Sequence, residues 1–290
     1  MANKTWVGGT TDFENVWDLA SNWSPSGIPA SGDTVFIVSG DVDITGEAVS
    51  SGSVTRIVVG ANYTGSIGTS ALKLEVDCAD LDYGGRGDEA HFLGTYTTVT
   101  VQETGSGDSA LNIYGDGSGD RLTTLRIVGG RGGINIDGTC QFNTGAVIDQ
   151  IGSNNVTTTL DSAITFNGTC QATIDSGVFV MDVAIPNITM FGGTLESSLA
   201  SGTIALWEIY DGRAKFTPTA SCVISQLTMY GGNFDTEDST APSFTITDCT
   251  LFDSSLLNEN SGLRNITFTS PVEMEGGEIK YDIGRTVVIT

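Results

Sequence analysis

The residues best equipped for chemistry in this chain are its carboxylates, its single imidazole and its five thiols. Asp and Glu number 35 against 12 Lys and Arg, for a formal net charge of −23. Two carboxylates roughly 5 to 9 Å apart could act as acid and base on a glycosidic bond. No Asp-Asp dipeptide marks such a pair, and nothing in the spacing singles one out. His91 is the one imidazole and lies between apolar neighbours in Ala90-His91-Phe92. A lone His without a sequence partner reads as a satisfied or surface residue rather than a base. Cys78, Cys140, Cys170, Cys222 and Cys249 form no C-x-x-C pair. They sit in strand-like contexts such as Gly138-Thr139-Cys140-Gln141, and read as small inward-facing core residues. Two segments look like Ca²⁺ loops. Gly115-Asp116-Gly117-Ser118-Gly119-Asp120-Arg121-Leu122 partly matches the glycine-rich nonapeptide but occurs once. Asp41-Val42-Asp43-Ile44-Thr45-Gly46 opens like an EF-hand loop but has Gly52 where the bidentate Glu belongs. Both read as turn chemistry. The sequence thus assigns no catalytic residue, no metal and no cofactor, and the expectation is a protein that is not an enzyme.

The charge balance argues in the same direction. Binding a nucleic-acid backbone or an anionic bilayer needs clustered cations, and the lysines are only Lys4, Lys73, Lys215 and Lys280. Neither nucleic acid nor membrane is expected as a partner. The opening Met-Ala-Asn-Lys-Thr-Trp-Val-Gly-Gly has no basic segment followed by an apolar stretch, so synthesis in a cytoplasm without a signal peptide is expected.

The elements that must position these residues are strands. Gly numbers 38 and Pro only 6, a composition suited to many tight turns. Thr34-Val35-Phe36-Ile37-Val38, Thr55-Arg56-Ile57-Val58-Val59, Leu72-Lys73-Leu74-Glu75-Val76 and Thr97-Thr98-Val99-Thr100-Val101 are short β-branched runs bounded by turn residues. Phe13 to Ala20 is the one expected helical turn. An eight-residue motif then recurs: apolar, any, Met or Ile, bulky, Gly or Asp, Gly, any, apolar. It appears as Ile188-Thr189-Met190-Phe191-Gly192-Gly193-Thr194-Leu195, from Trp207 to Ala214, from Leu227 to Phe234 and from Val272 to Ile279, with a looser copy from Leu125 to Gly130. Gly193, Gly212 and Gly232 are 19 and 20 residues apart, and Gly277 follows 45 later. Phe244 to Leu251 is read as the missing unit, with Asp248-Cys249 in the Gly-Gly place. A period near 20 in an all-strand chain predicts a solenoid, because one coil cannot bury its own apolar face. The predicted fold is all-β, a right-handed parallel β-helix of some 11 to 12 coils of about 20 residues. A β-sandwich also has short strands, but not near-identical corners at this interval.

Residues 1–50 read as an N-terminal cap with the first strands, and 51–290 as the coils. Three of the four Trp (Trp6, Trp17 and Trp23) lie in the first segment with Pro29. Trp offers the largest area for plugging the open end of a core. The alternative use of these rings, a sugar-stacking platform, needs exposed faces. The order Trp6, Trp17, Trp23, Pro29 and Gly32-Asp33-Thr34-Val35-Phe36-Ile37 resembles the opening of bacterial and phage β-helix proteins, including autotransporter passenger-like domains and phage virion proteins. Autotransporters carry a leader and a C-terminal membrane barrel, whereas this sequence ends in Thr286-Val287-Val288-Ile289-Thr290, so the virion proteins are the better match. Enzymes of the pectate-lyase-like and polygalacturonase-like groups use clustered Asp with Arg, or paired Asp with Gly-His-Gly, and those motifs are not present here. The resemblance implies a non-enzymatic virion structural protein, a capsid decoration or head-fibre protein. Its partners would be capsid or other virion proteins and its own copies, a trimer being one arrangement. Docking is expected at the cap or along a solenoid edge. A glycan-binding tailspike or adhesin, or a polysaccharide-degrading β-helix enzyme, is the alternative, and a cell-surface passenger-like fragment a third.

Overall fold

The computed structural model describes residues 2–8, 15–44, 53–108, 110–115, 121–138, 140–152, 155–236, 244–252, 255–259, 266–281 and 288–289. The chain winds as a parallel β-solenoid of about ten turns. Each turn contributes one strand or strand pair to a seventeen-stranded sheet and one strand to an eleven-stranded sheet. Asn187–Met190 in the first sheet is followed by Thr194–Ser197 in the second, then Gly202–Ile209 in the first and Arg213–Phe216 in the second. At roughly 4.8 Å per turn the rod is on the order of 50 Å long.

Strand alternation sets which side chains face inward. In the first sheet one ladder runs Val35, Ile57, Leu81, Val99, Leu125, Ile148, Ala172, Ile188, Trp207, Leu227 and Cys249. Every member is buried. A second ladder, two residues on, runs from Ile37 through Val59, Tyr83, Val101, Ile127, Gln150, Ile174, Met190, Ile209 and Met229 to Leu251. Gln150 is its one polar member. It is fully buried, and its amide donates to the Ser176 and Val178 carbonyls at 2.7 and 3.3 Å. The second sheet answers with Leu111, Ile134, Thr158, Phe179, Leu195, Ala214, Phe234 and Leu257. The core is one cluster from Trp6 to Phe268.

The repeat motif lies where it was expected, at the corner between the sheets. Gly193, Gly212, Gly232 and Gly277 all take positive φ, from 67° to 92°. A Cβ on Gly212 would stand 2.6 Å from the Gly193 carbonyl oxygen, and one on Gly232 would stand 2.7 Å from that of Gly212. The corners therefore stack too closely for any side chain, and each carbonyl also accepts a strand bond from the next turn, as Arg213 N–H donates to Gly193 at 3.0 Å.

Three expectations need correction. The unit after Leu227–Phe234 does not place Asp248-Cys249 at the corner. Cys249 pairs with Leu227 and Leu251 with Met229, so the true copy begins five residues later, at Cys249. The apolar spacing of Phe244 and Ile246 imitates the motif because those residues belong to the preceding half of the same long strand, Phe244–Phe252. The coils are also not uniform. Ladder partners are 16 residues apart at Ala172 and Ile188 but 26 apart at Val99 and Leu125, because turns outside the sheets absorb insertions. Finally, the helical turn of Phe13 to Ala20 is replaced by turns at 15–18 and a short 3-10 helix, Ala20–Asn22; Phe13 and Glu14 lie outside the described residues.

Candidate functional site

At the N-terminal end, Asn3–Trp6 pairs in parallel with Thr34–Gly40 on one side and antiparallel with Trp23–Ser24 on the other. Trp6, Trp17 and Trp23 are all buried, and so is Pro29. The rings meet edge to face, with centroids 5.0 Å apart for Trp6 and Trp23 and 4.7 Å for Trp17 and Trp23. The Trp23 indole donates to the Trp17 carbonyl at 2.8 Å. With their faces covered, these rings cannot stack on a sugar, so that alternative falls on geometry. Asp33 ties the segment together: its carboxylate accepts the Ala2 N–H at 2.7 Å and the Ala30 N–H at 3.2 Å. The bond from Ala2 holds this carboxyl below the usual value, against the opposing effect of burial.

The corner between the sheets builds a second feature. One residue follows the second-ladder side chain on each turn of the first sheet; it lies within the long strands Thr34–Gly40 and Val54–Tyr63, and from Gly84 onward it marks the end of the strand. Down the rod this column reads Val38, Gly60, Gly84, Gln102, Val128, Ile151, Asp175, Phe191, Tyr210, Tyr230, Phe252 and Glu275. Phe191, Tyr210, Tyr230 and Phe252 stack as four parallel rings. Their centroids are 4.9, 4.5 and 4.9 Å apart and their planes lie within 21°. Phe191 is 51% exposed, Tyr210 and Tyr230 40% each. Because neighbouring faces cover one another, solvent meets mainly ring edges and hydroxyls along the stack. Partial desolvation, then Glu208 and Tyr230, hold the Tyr210 hydroxyl above the ordinary phenol range. At the other end of the column Gly60 and Gly84 leave a groove of about 320 Å³, lined by Arg56, Asp82, Gln102 and Glu103 among others. Arg56 pairs with Asp82 at 2.5 Å, and Glu103 pairs with Arg86 at 3.2 Å and Arg131 at 3.5 Å.

The one imidazole is indeed engaged. His91 is buried; its Nε2 is 2.9 Å from Glu89 and its Nδ1 3.0 Å from the Tyr114 hydroxyl. Tyr114 also stacks on His91, and Lys73 Nζ lies 4.4 Å from the Tyr114 ring centre. Burial, then Asp137 and Glu89, push the Tyr114 phenol up. Glu89 is two residues from His91, but Tyr114 is 23 residues away, one turn on, so only the register of Leu93 with Tyr114 reveals it. All five Cys are buried, and none forms a disulfide. Burial pushes the Cys170 and Cys249 thiols up to about 12, and raises Cys78 as well. Among the described residues no three His, Cys, Asp or Glu side chains converge on a metal position. Residues 116–120 and 45–52 of the two Ca²⁺-like segments lie outside the described residues. No described helix is long and apolar enough to cross a membrane. No family model, curated protein or solved structure matches the chain.

Proposed function

We propose that this chain is a non-enzymatic structural rod of a virion, a capsid decoration or head-fibre protein attached to a phage shell. The observation that carries the structural part is the single core from Trp6 to Phe268, and the three buried Trp at its N-terminal end support the reading of that segment as a cap. Every turn is tied to the next by backbone bonds and apolar ladders, which suits a stiff, protease-resistant body. The virion part rests on the likeness of the Trp6 to Ile37 segment to phage β-helix proteins. Mixing the purified chain with particles that lack it, then sedimenting, tests the proposal. Saturable co-sedimentation at a fixed ratio is expected, and its failure on particles from every candidate shell would defeat the reading.

A glycan-binding rod is the second reading. The groove over Gly60 and Gly84 favours it, because paired Arg56 and Asp82 offer both a donor and an acceptor to vicinal hydroxyls. Polysaccharide binding that is lost in Arg56→Ala would move this reading to the front.

A further inference from the structure

Among the described residues nine large apolar side chains are exposed, and three of them (Phe191, Tyr210 and Tyr230) stand on consecutive turns of the corner column. A soluble surface tolerates isolated apolar residues, but a contiguous strip marks a contact site. We propose that the aromatic part of this column, Phe191 to Phe252, is a docking rail for a partner protein that presents aromatic side chains flanked by Lys or Arg.

Two features specify that chemistry. The rail offers ring edges, which carry the positive part of the aromatic quadrupole and pair best with the π face of another ring laid across them. Sugars need open ring faces, and here both faces of Tyr210 and Tyr230 are covered by neighbouring rings, leaving only the outer faces of Phe191 and Phe252 without a ring against them. The surroundings are acidic. The first-sheet strands from Cys170–Ile174 to Glu273–Glu275 contain no Lys or Arg, while Glu208, Asp248, Glu273 and Glu275 lie on them. Asp175 and Asp211 adjoin the rail. The described cations of these turns (Arg213, Lys215 and Lys280) are on the second sheet, where Arg213 pairs with Asp235. A second copy of a chain with charge −23 would meet this face with repulsion. A basic surface meets it with attraction, and its aromatic residues cover the rail. Three strand spacings, roughly 14 Å, separate the first and last rings, room for two or three side chains of an extended partner segment. The inference does not depend on the virion reading; it assigns the contact edge of the rod in whatever assembly holds it.

Two labelled peptides of equal charge, one alternating Lys with Tyr and one alternating Lys with Ser, test it by fluorescence anisotropy with the full chain at about 0.15 M salt. The Lys-Tyr peptide should bind at least about tenfold tighter. The variant Tyr210→Ser/Tyr230→Ser should lose that preference while keeping the weak binding of the Lys-Ser peptide, and Tyr210→Phe/Tyr230→Phe should retain the preference. These positions are exposed, so unchanged melting of both variants confirms that they fold. Equal affinity for the two peptides, or a preference that survives the Ser variant, overturns the proposal. So does self-association in sedimentation that the Ser variant abolishes, which would make a second copy the occupant.

Discussion

Gly212→Ala is the most informative single change to the fold, and Gly145→Ala is its control. Both glycines take positive φ, 92° and 77°, so an L-residue costs roughly 1–2 kcal/mol at either place. They differ in what a Cβ would meet. At Gly145 nothing lies within 4 Å, whereas at Gly212 the Gly193 carbonyl oxygen lies at 2.6 Å. Relief requires two turns to move apart, and the bond they share, Arg213 N–H to Gly193 at 3.0 Å, must stretch. Losing that bond costs about 1 kcal/mol, and residual backbone strain adds about 1–2 kcal/mol. Gly212→Ala is therefore expected to destabilise by about 3–5 kcal/mol and Gly145→Ala by about 1–2 kcal/mol. Each kcal/mol moves the melting temperature of a chain this long by about 2 °C. Thermal melts followed by circular dichroism should place Gly212→Ala about 4–6 °C below Gly145→Ala. If the two variants melt together, the stacked corner does not restrict residue choice in the way described.

The remaining predictions are as direct. Trp17→Ala empties a fully buried ring site against Trp23, and a loss of about 3–5 kcal/mol in urea unfolding is expected; a loss under about 1 kcal/mol would contradict the cap. His91→Leu removes the bonds to the half-buried Tyr114 hydroxyl and the part-exposed Glu89 carboxylate and should cost about 1–2 kcal/mol, with Tyr114→Phe giving the smaller part; an unchanged melt would count against an engaged imidazole. Thiols react as thiolates, so the buried high-pKa Cys170 and Cys249 should ignore a thiol reagent at neutral pH until denaturant is added, and labelling of either in the native chain would refute their inward placement. The Asp33 carboxyl is held below its unfolded value, so its contribution is complete above about pH 4 and fades as pH falls through the lower folded value. Asp33→Asn should remove that part of the acid sensitivity, and identical pH profiles of urea midpoints for variant and parent would reject it.

The solenoid was legible because its signal is local. Strand alternation and the Gly-Gly or Asp-Gly corner of the repeated motif are both written within eight residues, and positive φ at Gly193, Gly212, Gly232 and Gly277 follows from the stacking. The register of the Phe244 turn was not legible, since Phe244–Phe252 holds two alternating halves and either could begin the motif. The aromatic rail was present in the motif as its bulky position, and a signal existed for it. Met190-Phe191, Ile209-Tyr210, Met229-Tyr230 and Leu251-Phe252 each place two large apolar residues side by side, which breaks the alternation and forces the second outward. That the four would stack depends on every turn keeping register, a property of the assembled rod. The surroundings of His91 were hidden for the same reason, because its Tyr114 partner comes from the following turn.

Quantitative mass spectrometry of purified virus particles from a host that carries this chain tests the virion role. The chain is expected in every preparation at a constant copy number relative to the major shell protein. Its absence from particles, with the chain recovered only in the soluble fraction, would contradict a virion role and favour a free glycan-binding rod.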